Sequence, residues 1–298
     1  MTGETWLQKN TKSLTGKTVA VSGATGGLGR HLCRYLASLG ADLVLLDRNY
    51  AKSNALRAEL QSEFPGLSVD LITMDLEDIS SVFAAAERLE ERHLHALILN
   101  AGAYAIPRKI CDMGLDNVFQ INFASPYYLA RRLQTHIAKC GGRVVAVGSI
   151  AHTYSKTDMQ DVDFSKRTRA SLCYGNAKRF LMFSLYGLFD GKPGLSVVHP
   201  GIAFTNITAH YPKWLFAIIK YPMKVIFMSP KKAALSILRG IFEDCGRNEW
   251  IGPRWFSVWG LPKKSCLHTC GEAEAASICR AAEEIYGEIL AQKGDNSG

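Results

Sequence analysis

Short apolar runs recur along the whole chain, each separated from the next by a longer stretch with helical periodicity. The runs are Thr18–Ser22, Ala41–Leu46, Ser68–Thr73, Ala96–Leu99, Arg143–Ser149, Leu195–His199 and Trp250–Ile251. Most are continuously apolar rather than alternating, the mark of strands buried on both faces of a parallel sheet. The intervening helices are expected at Gly29–Leu39, Ala51–Phe64, Asp78–Arg92, Leu115–Cys140, Tyr174–Phe189 and Pro230–Glu243, with Ser229 as N-cap before Pro230. This alternation predicts an α/β fold, a doubly wound parallel sheet of the Rossmann type. It continues through the chain, so the 298 residues are expected to form a single dinucleotide-binding domain over 1–298. A last amphipathic helix is expected over 271–293. Its apolar face (Ile278, Ala282, Ile285, Ile289) should pack on the domain, with a subunit contact less favoured.

Composition excludes some classes. Apolar residues at 47% and charged residues at 21% rule out disordered and collagen-like chains. A net charge of +8 suits anionic ligands, but no recognition motif accompanies it, so no nucleic-acid partner is expected. Eight irregularly spaced cysteines read as reduced thiols of a cytoplasmic protein. Cys266-Leu267-His268-Thr269-Cys270 lacks a second Cys/His pair, and no metal is expected. Residues 1–10 have no apolar core, so no secretory signal is expected. No stretch reaches the ~18 apolar residues of a spanning helix; the most apolar, 214–228, is broken by Lys220, Pro222 and Lys224.

The first strand runs into Ser22-Gly23-Ala24-Thr25-Gly26-Gly27-Leu28-Gly29, and a helix follows. Glycines at 23, 27 and 29 let the backbone approach a pyrophosphate, and the helix behind them offers free N–H groups and a positive dipole end. The second strand ends in Asp47-Arg48. Asp47 can accept the adenosine ribose hydroxyls, which favours NAD; Arg48 could hold a 2′-phosphate instead, so NADP stays open. Asp75, ending strand three, is placed to reach the adenine amino group or to cap the next helix.

Tyr174 is the only one of 11 tyrosines with a lysine, Lys178, four residues on. On a helix the two share a face, and an ammonium beside a phenol would lower its pKa from ~10. Asn100-Ala101-Gly102 closes strand four, Ser149 closes strand five, and His199-Pro200-Gly201-Ile202-Ala203-Phe204-Thr205 leaves strand six. In an open parallel sheet all three meet ligands at the carboxyl ends of the strands.

In this ordered series, over roughly residues 15 to 255, the chain resembles the short-chain dehydrogenase/reductase family, particularly its retinol- and steroid-oxidising members. Ser22 stands where the family pattern begins with Thr. The resemblance implies a catalytic tetrad of Asn122, Ser149, Tyr174 and Lys178. Tyr174 would be the general acid/base, Ser149 would hold the substrate oxygen, Lys178 would acidify Tyr174 and bind the nicotinamide ribose, and Asn122 would support a water chain. It further implies cofactor contacts from Gly23, Thr25, Gly27, Leu28, Gly29, Asp47, Arg48, Asp75, Leu76, Asn100, Ala101, Gly102, Tyr174, Lys178, Pro200, Gly201, Ile202 and Thr205.

The activity so implied is hydride transfer between a nicotinamide cofactor and an alcohol or ketone. A segment at 206–228, rich in Trp, Phe, Ile and Met, is expected as a substrate lid, which suggests a lipophilic substrate and a peripheral membrane contact. Two alternatives are a reductase of a small polar carbonyl and a non-catalytic nucleotide-binding redox sensor. Relatives also pair through helices matching 115–140 and 174–189, so a homo-oligomer is expected.

Overall fold

The computed structural model describes residues 3–190, 192–201 and 228–295. Eight strands lie in one sheet, ordered β3-β2-β1-β4-β5-β6-β7-β8. They are β1 (Thr18–Ser22), β2 (Asp42–Asp47), β3 (Val69–Thr73), β4 (Leu94–Leu99), β5 (Arg143–Val147), β6 (Leu195–Val198), β7 (Glu249–Trp255) and β8 (Trp259–Cys266). All neighbours pair in parallel except β7 and β8, which are antiparallel. The helices are α1 (Gly3–Asn10), α2 (Gly27–Ser38), α3 (Tyr50–Glu63), α4 (Ile79–Glu90), α5, α6 (Ala170–Leu188), α7 (Pro230–Gly240) and α8 (Glu272–Asp295). α5 has three parts: a turn at Asn117–Phe119, a π-helical turn at Gln120–Ala124, and Ser125–Lys139.

The strand residues feed two cores, one on each face. Val19, Val21, Leu43 and Leu45 pack with Trp6, Leu32, Leu56 and Leu238 of α1, α2, α3 and α7. Ala20, Val44 and Leu46, pointing the other way, pack with Val82, Tyr128, Phe180 and Ile285 of α4, α5, α6 and α8. This two-sided burial is why the runs read as continuous rather than alternating. Local caps fix the helix starts: Asp78 accepts from the Ser80 and Ser81 amides, and Ser229 accepts from the Lys232 amide ahead of Pro230.

α8 lies against α5 and α6, with Ile278, Ala282 and Ile289 almost fully buried. Its first turn is latched by an ion pair. Arg179, only 2% exposed, donates from Nε to Glu274 Oε1 (2.8 Å) and from Nη2 to Oε2 (2.6 Å). Burial works against ionisation of Glu274, but Arg179 and the Thr157 amide outweigh it and hold the carboxyl down at about 2. A folded-state pKa below the unfolded value gives stability that is complete above about 4.5 and lost as pH falls toward about 2. Glu274→Gln should therefore lower Tm at neutral pH, and its deficit relative to the parent should shrink across that acid window, as calorimetry at stepped pH would read.

Candidate active site

The carboxyl ends of β1 to β4 frame a cleft of about 470 Å³. Gly23, Thr25, Gly27, Leu28, Gly29, Asp47, Arg48, Asp75, Leu76, Asn100, Ala101 and Gly102 all line it, as the sequence leads one to expect. Gly26 of the same glycine turn lines it as well, and so do Asn49, Lys52, Ala103, Ile106 and Ile121, positions with no motif to announce them.

The glycine turn is built for close approach. Gly23 adopts φ +66°, and a Cβ there would lie 2.9 Å from Ala101 Cα. Gly26 is the N-cap of α2, with no side-chain hydrogen bond over the helix start. The first N–H groups of α2 therefore face the cleft without a side-chain cap, as a pyrophosphate requires. Ser22 ties the end of β1 to that of β4. Its hydroxyl donates to Ile98 O (3.2 Å) and accepts from the Asn100 and Ala101 amides (both 3.0 Å). Asn100 returns two bonds through Nδ2, to Ser22 O (2.9 Å) and Gly23 O (3.1 Å). The ends of β1 and β4 are thus stapled together under the cleft, and these features fit a bound dinucleotide.

The acidic residue at the end of β2 is turned toward the protein. Asp47 Oδ1 accepts from Thr25 N (3.2 Å) and Thr25 Oγ1 (2.8 Å), and Oδ2 accepts from Ser53 Oγ (3.2 Å). Burial pushes its pKa up, against the pull of those bonds. Arg48 and Lys52 stand beside it on the rim. Asp75 makes a local turn instead, accepting from the Glu77 amide (3.0 Å), while Asp78 caps α4.

The tetrad residues stand beyond Gly102. Asn122 lies in the π-helical turn of α5, a rare geometry that recurs at functional sites. Its side chain is fully buried, donating to Ala103 O and Val118 O (both 2.8 Å) and accepting from Ala103 N (3.3 Å). A Cβ on Gly102 would meet Asn122 Oδ1 at 2.7 Å and Lys178 Nζ at 3.5 Å, so three of the predicted positions converge there. Lys178 is buried on α6 and donates from Nζ to Val147 O (2.9 Å). Ser149 caps a 3₁₀ turn at Ile150–Thr153, accepting from the Ala151 amide (3.2 Å), and its side chain stands close enough to the Tyr174 hydroxyl to favour the phenolate.

The expected acidification of Tyr174 by its neighbour is not what this arrangement produces. Burial pushes Tyr174 up to about 12, opposed by the nearby Ser149 side chain. Burial also brings Lys178 down to about 8. The ammonium sits under the ring, 5.8 Å from its centroid, and its hydrogen bond goes to the backbone of β5 rather than to the phenol. Desolvation of both groups therefore outweighs their attraction.

Pro200 is buried at the end of β6, and Gly201 follows at φ +80° against Val258 O and Pro253. Ile202, Thr205 and residues 206–227 of the expected lid lie outside the described residues; Met228 is buried beside Gly201. Among the described residues no group of three His, Cys, Asp or Glu side chains gathers as a metal site, and no helix is long and apolar enough to cross a membrane.

Comparison with known proteins agrees with this geometry. The short chain dehydrogenase family model matches residues 17–161. Retinol dehydrogenase 12 of Mus musculus is 30% identical over 263 residues, covering 81% of each chain. Retinol dehydrogenase 11 of Homo sapiens is 28% identical over 286 residues, covering 85% of this chain and 89% of that protein. Among solved structures, an uncharacterized protein from Mycobacterium paratuberculosis superposes with a TM-score of 0.72 at 22% identity, over 94% of this chain and 96% of that one. A short-chain dehydrogenase from Sphingobium yanoikuyae in complex with NADPH gives 0.59 at 22% identity, over 90% and 93%.

Proposed function

The chain belongs to the short-chain dehydrogenase/reductase family of oxidoreductases, and from that premise we propose that it interconverts a lipophilic secondary or allylic alcohol and its carbonyl. The observation that carries this reading is the convergence of Ser149, Tyr174 and a buried Lys178, whose Nζ lies under the Tyr174 ring and beside Gly102, at a cleft shaped for a dinucleotide. The dinucleotide, when bound, accepts or supplies the hydride. Gly23, Gly27, Gly29 and the uncapped start of α2 hold its phosphates. The Ser149 hydroxyl orients the substrate oxygen, and Tyr174 Oη exchanges a proton with it as the carbon gives up or gains hydride. Lys178, buried and bonded to Val147 O, supports Tyr174 from beneath and, beside Gly102, would hold the ribose of a bound dinucleotide. Asn122 braces the Ala103 backbone that borders both.

The substrate class draws support from three tyrosines. Tyr104 packs edge-on against Tyr174 at 5.4 Å, and Tyr154, 53% exposed, stands near the same phenol. Such rings suit an apolar body better than a small polar one. The names of the retinol dehydrogenases point the same way. A peripheral membrane contact through 206–228 and a cytoplasmic location belong to the same proposal. So does self-association.

For the cofactor, the inward commitment of Asp47 and the two rim cations support NADP over the NAD that Asp47 alone favours. A guanidinium–phosphate bond is charge-assisted and worth roughly 1.5–3 kcal/mol. Arg48→Ala should weaken NADPH binding by about tenfold or more and leave NADH binding nearly unchanged, read from reduced-nicotinamide fluorescence. Equal losses for both would return the preference to NAD. Turnover followed at the reduced-nicotinamide absorbance, with both cofactors against steroids, retinoids and aliphatic alcohols, tests the function itself. Activity confined to small polar carbonyls, or absent with every carbonyl and alcohol, would overturn it.

A further inference from the structure

Outside the tetrad, the densest buried polar cluster among the described residues links Ser149 to the C-terminal helix. His152, 1% exposed, sits between them. Its Nδ1 lies 2.6 Å from Ser149 O, a carbonyl that can only accept, so Nδ1 carries the proton. Nε2 is then free to accept from the Thr269 hydroxyl at 2.8 Å. The ring is wedged edge-on between Trp250 and Phe183, at 5.6 and 6.1 Å, and cannot swing away.

A second set of bonds fixes the same segment from the other side. Arg179, next in sequence to Lys178, donates to His152 O (3.1 Å) and Thr269 O (2.6 Å) as well as to Glu274. Glu274 Oε1 in turn accepts from Thr157 N and Thr157 Oγ1, both at 3.1 Å. One guanidinium and one carboxylate therefore hold both ends of residues 152–157 and the lead-in to α8. Only the Arg179 end of this pair is fully buried, and removing Glu274 would leave that guanidinium without its carboxylate, which is costly.

We propose that His152, Arg179 and Glu274 are positioning residues of the reaction, through which residues 269–274 set the place of the Ser149 hydroxyl beside Tyr174. The inference rests on the Ser149–Tyr174 reading above. The ring of His152 transmits position to Ser149 through its backbone carbonyl, and Glu274 transmits it through Arg179 and the 152–157 loop. None of the three touches the substrate oxygen.

His152→Leu keeps the apolar wedge and removes the donor; His152→Asn restores a donor near the place of Nδ1. The expected result is a kcat about tenfold lower for the leucine variant, since small displacements of positioned groups cost rate steeply. NADPH affinity should be unchanged, and at least half of the loss should be recovered by asparagine. Thr269→Val, an exposed and milder change, should lower kcat in the same sense. Independently of turnover, Glu274→Gln should speed amide hydrogen exchange across 150–157 about tenfold. Parental kcat in His152→Leu, equal losses for leucine and asparagine, or unchanged exchange in Glu274→Gln would each overturn the inference. Tyr174→Phe run alongside separates the two claims. If it is inactive while His152→Leu turns over normally, only the positioning role falls; if it keeps full turnover, the underlying reading falls.

Discussion

Tyr174→Phe should lower kcat by about 10²–10⁴ while dinucleotide binding stays within a few-fold of the parent. The ring keeps its edge-on contact with Tyr104 and its place over Lys178, so the pocket retains its shape. Only the phenol oxygen near Ser149 is lost, and with it the group proposed to exchange a proton with the substrate. Stopped-flow turnover together with titration of nicotinamide fluorescence would separate the two quantities. A variant with near-parental kcat would assign the proton to another group; one that has lost cofactor affinity as well would make Tyr174 a structural residue.

Gly29→Ala should be at least as damaging, by a different route. A Cβ at Gly29 would lie 2.7 Å from Ala24 O and 2.8 Å from Ala24 Cα, and nearer still to Gly23 O. All three are backbone atoms of the phosphate turn, so no side chain can move aside. The turn must open, and overpacking of this kind costs roughly 1–3 kcal/mol. Because opening the turn also shifts the backbone N–H groups that would receive the phosphates, dinucleotide affinity should fall about a hundredfold, with a lower Tm for the free protein. Calorimetric titration and thermal melts would read both. Parental affinity would mean that the dinucleotide does not use this turn.

Features encoded in contiguous residues were legible in the sequence. The parallel strands were visible because two-sided burial leaves continuous apolar runs, and the glycine turn because its mechanism demands a strand before it and a helix after it. Ser149 lay at a strand end and Tyr174 and Lys178 at a four-residue helical spacing, whereas Asn122 came only from the family resemblance. What sequence reading missed depends on distant contacts. β8 (Trp259–Cys266) contains Gly260, Pro262, Lys263 and Lys264, which argue against a strand until β7 offers an edge to pair with. α1 has short, polar periodicity, and only the docking of Trp6 into the second core explains it. The stretch from Leu115 to Cys140 read as one helix, whereas a π-helical turn sets Asn122 within it. Asp47 carried the right chemistry for a ribose, but the hydroxyl of Ser53 claims one of its oxygens. The bond from His152 to Thr269 spans 117 positions, and no local pattern marks it.

α8 gives this architecture a timetable. A nascent chain that has only reached Cys270 already holds β1 to β8, yet the flank of α5 and α6 still lies bare and the Arg179 guanidinium still awaits its carboxylate. Synthesis proceeds from the N-terminus, so the sheet can assemble well before the edge that bears Ser149 is locked. Until Glu274 and Ile278 join the fold, the side of α5 and α6 that α8 covers stays uncovered.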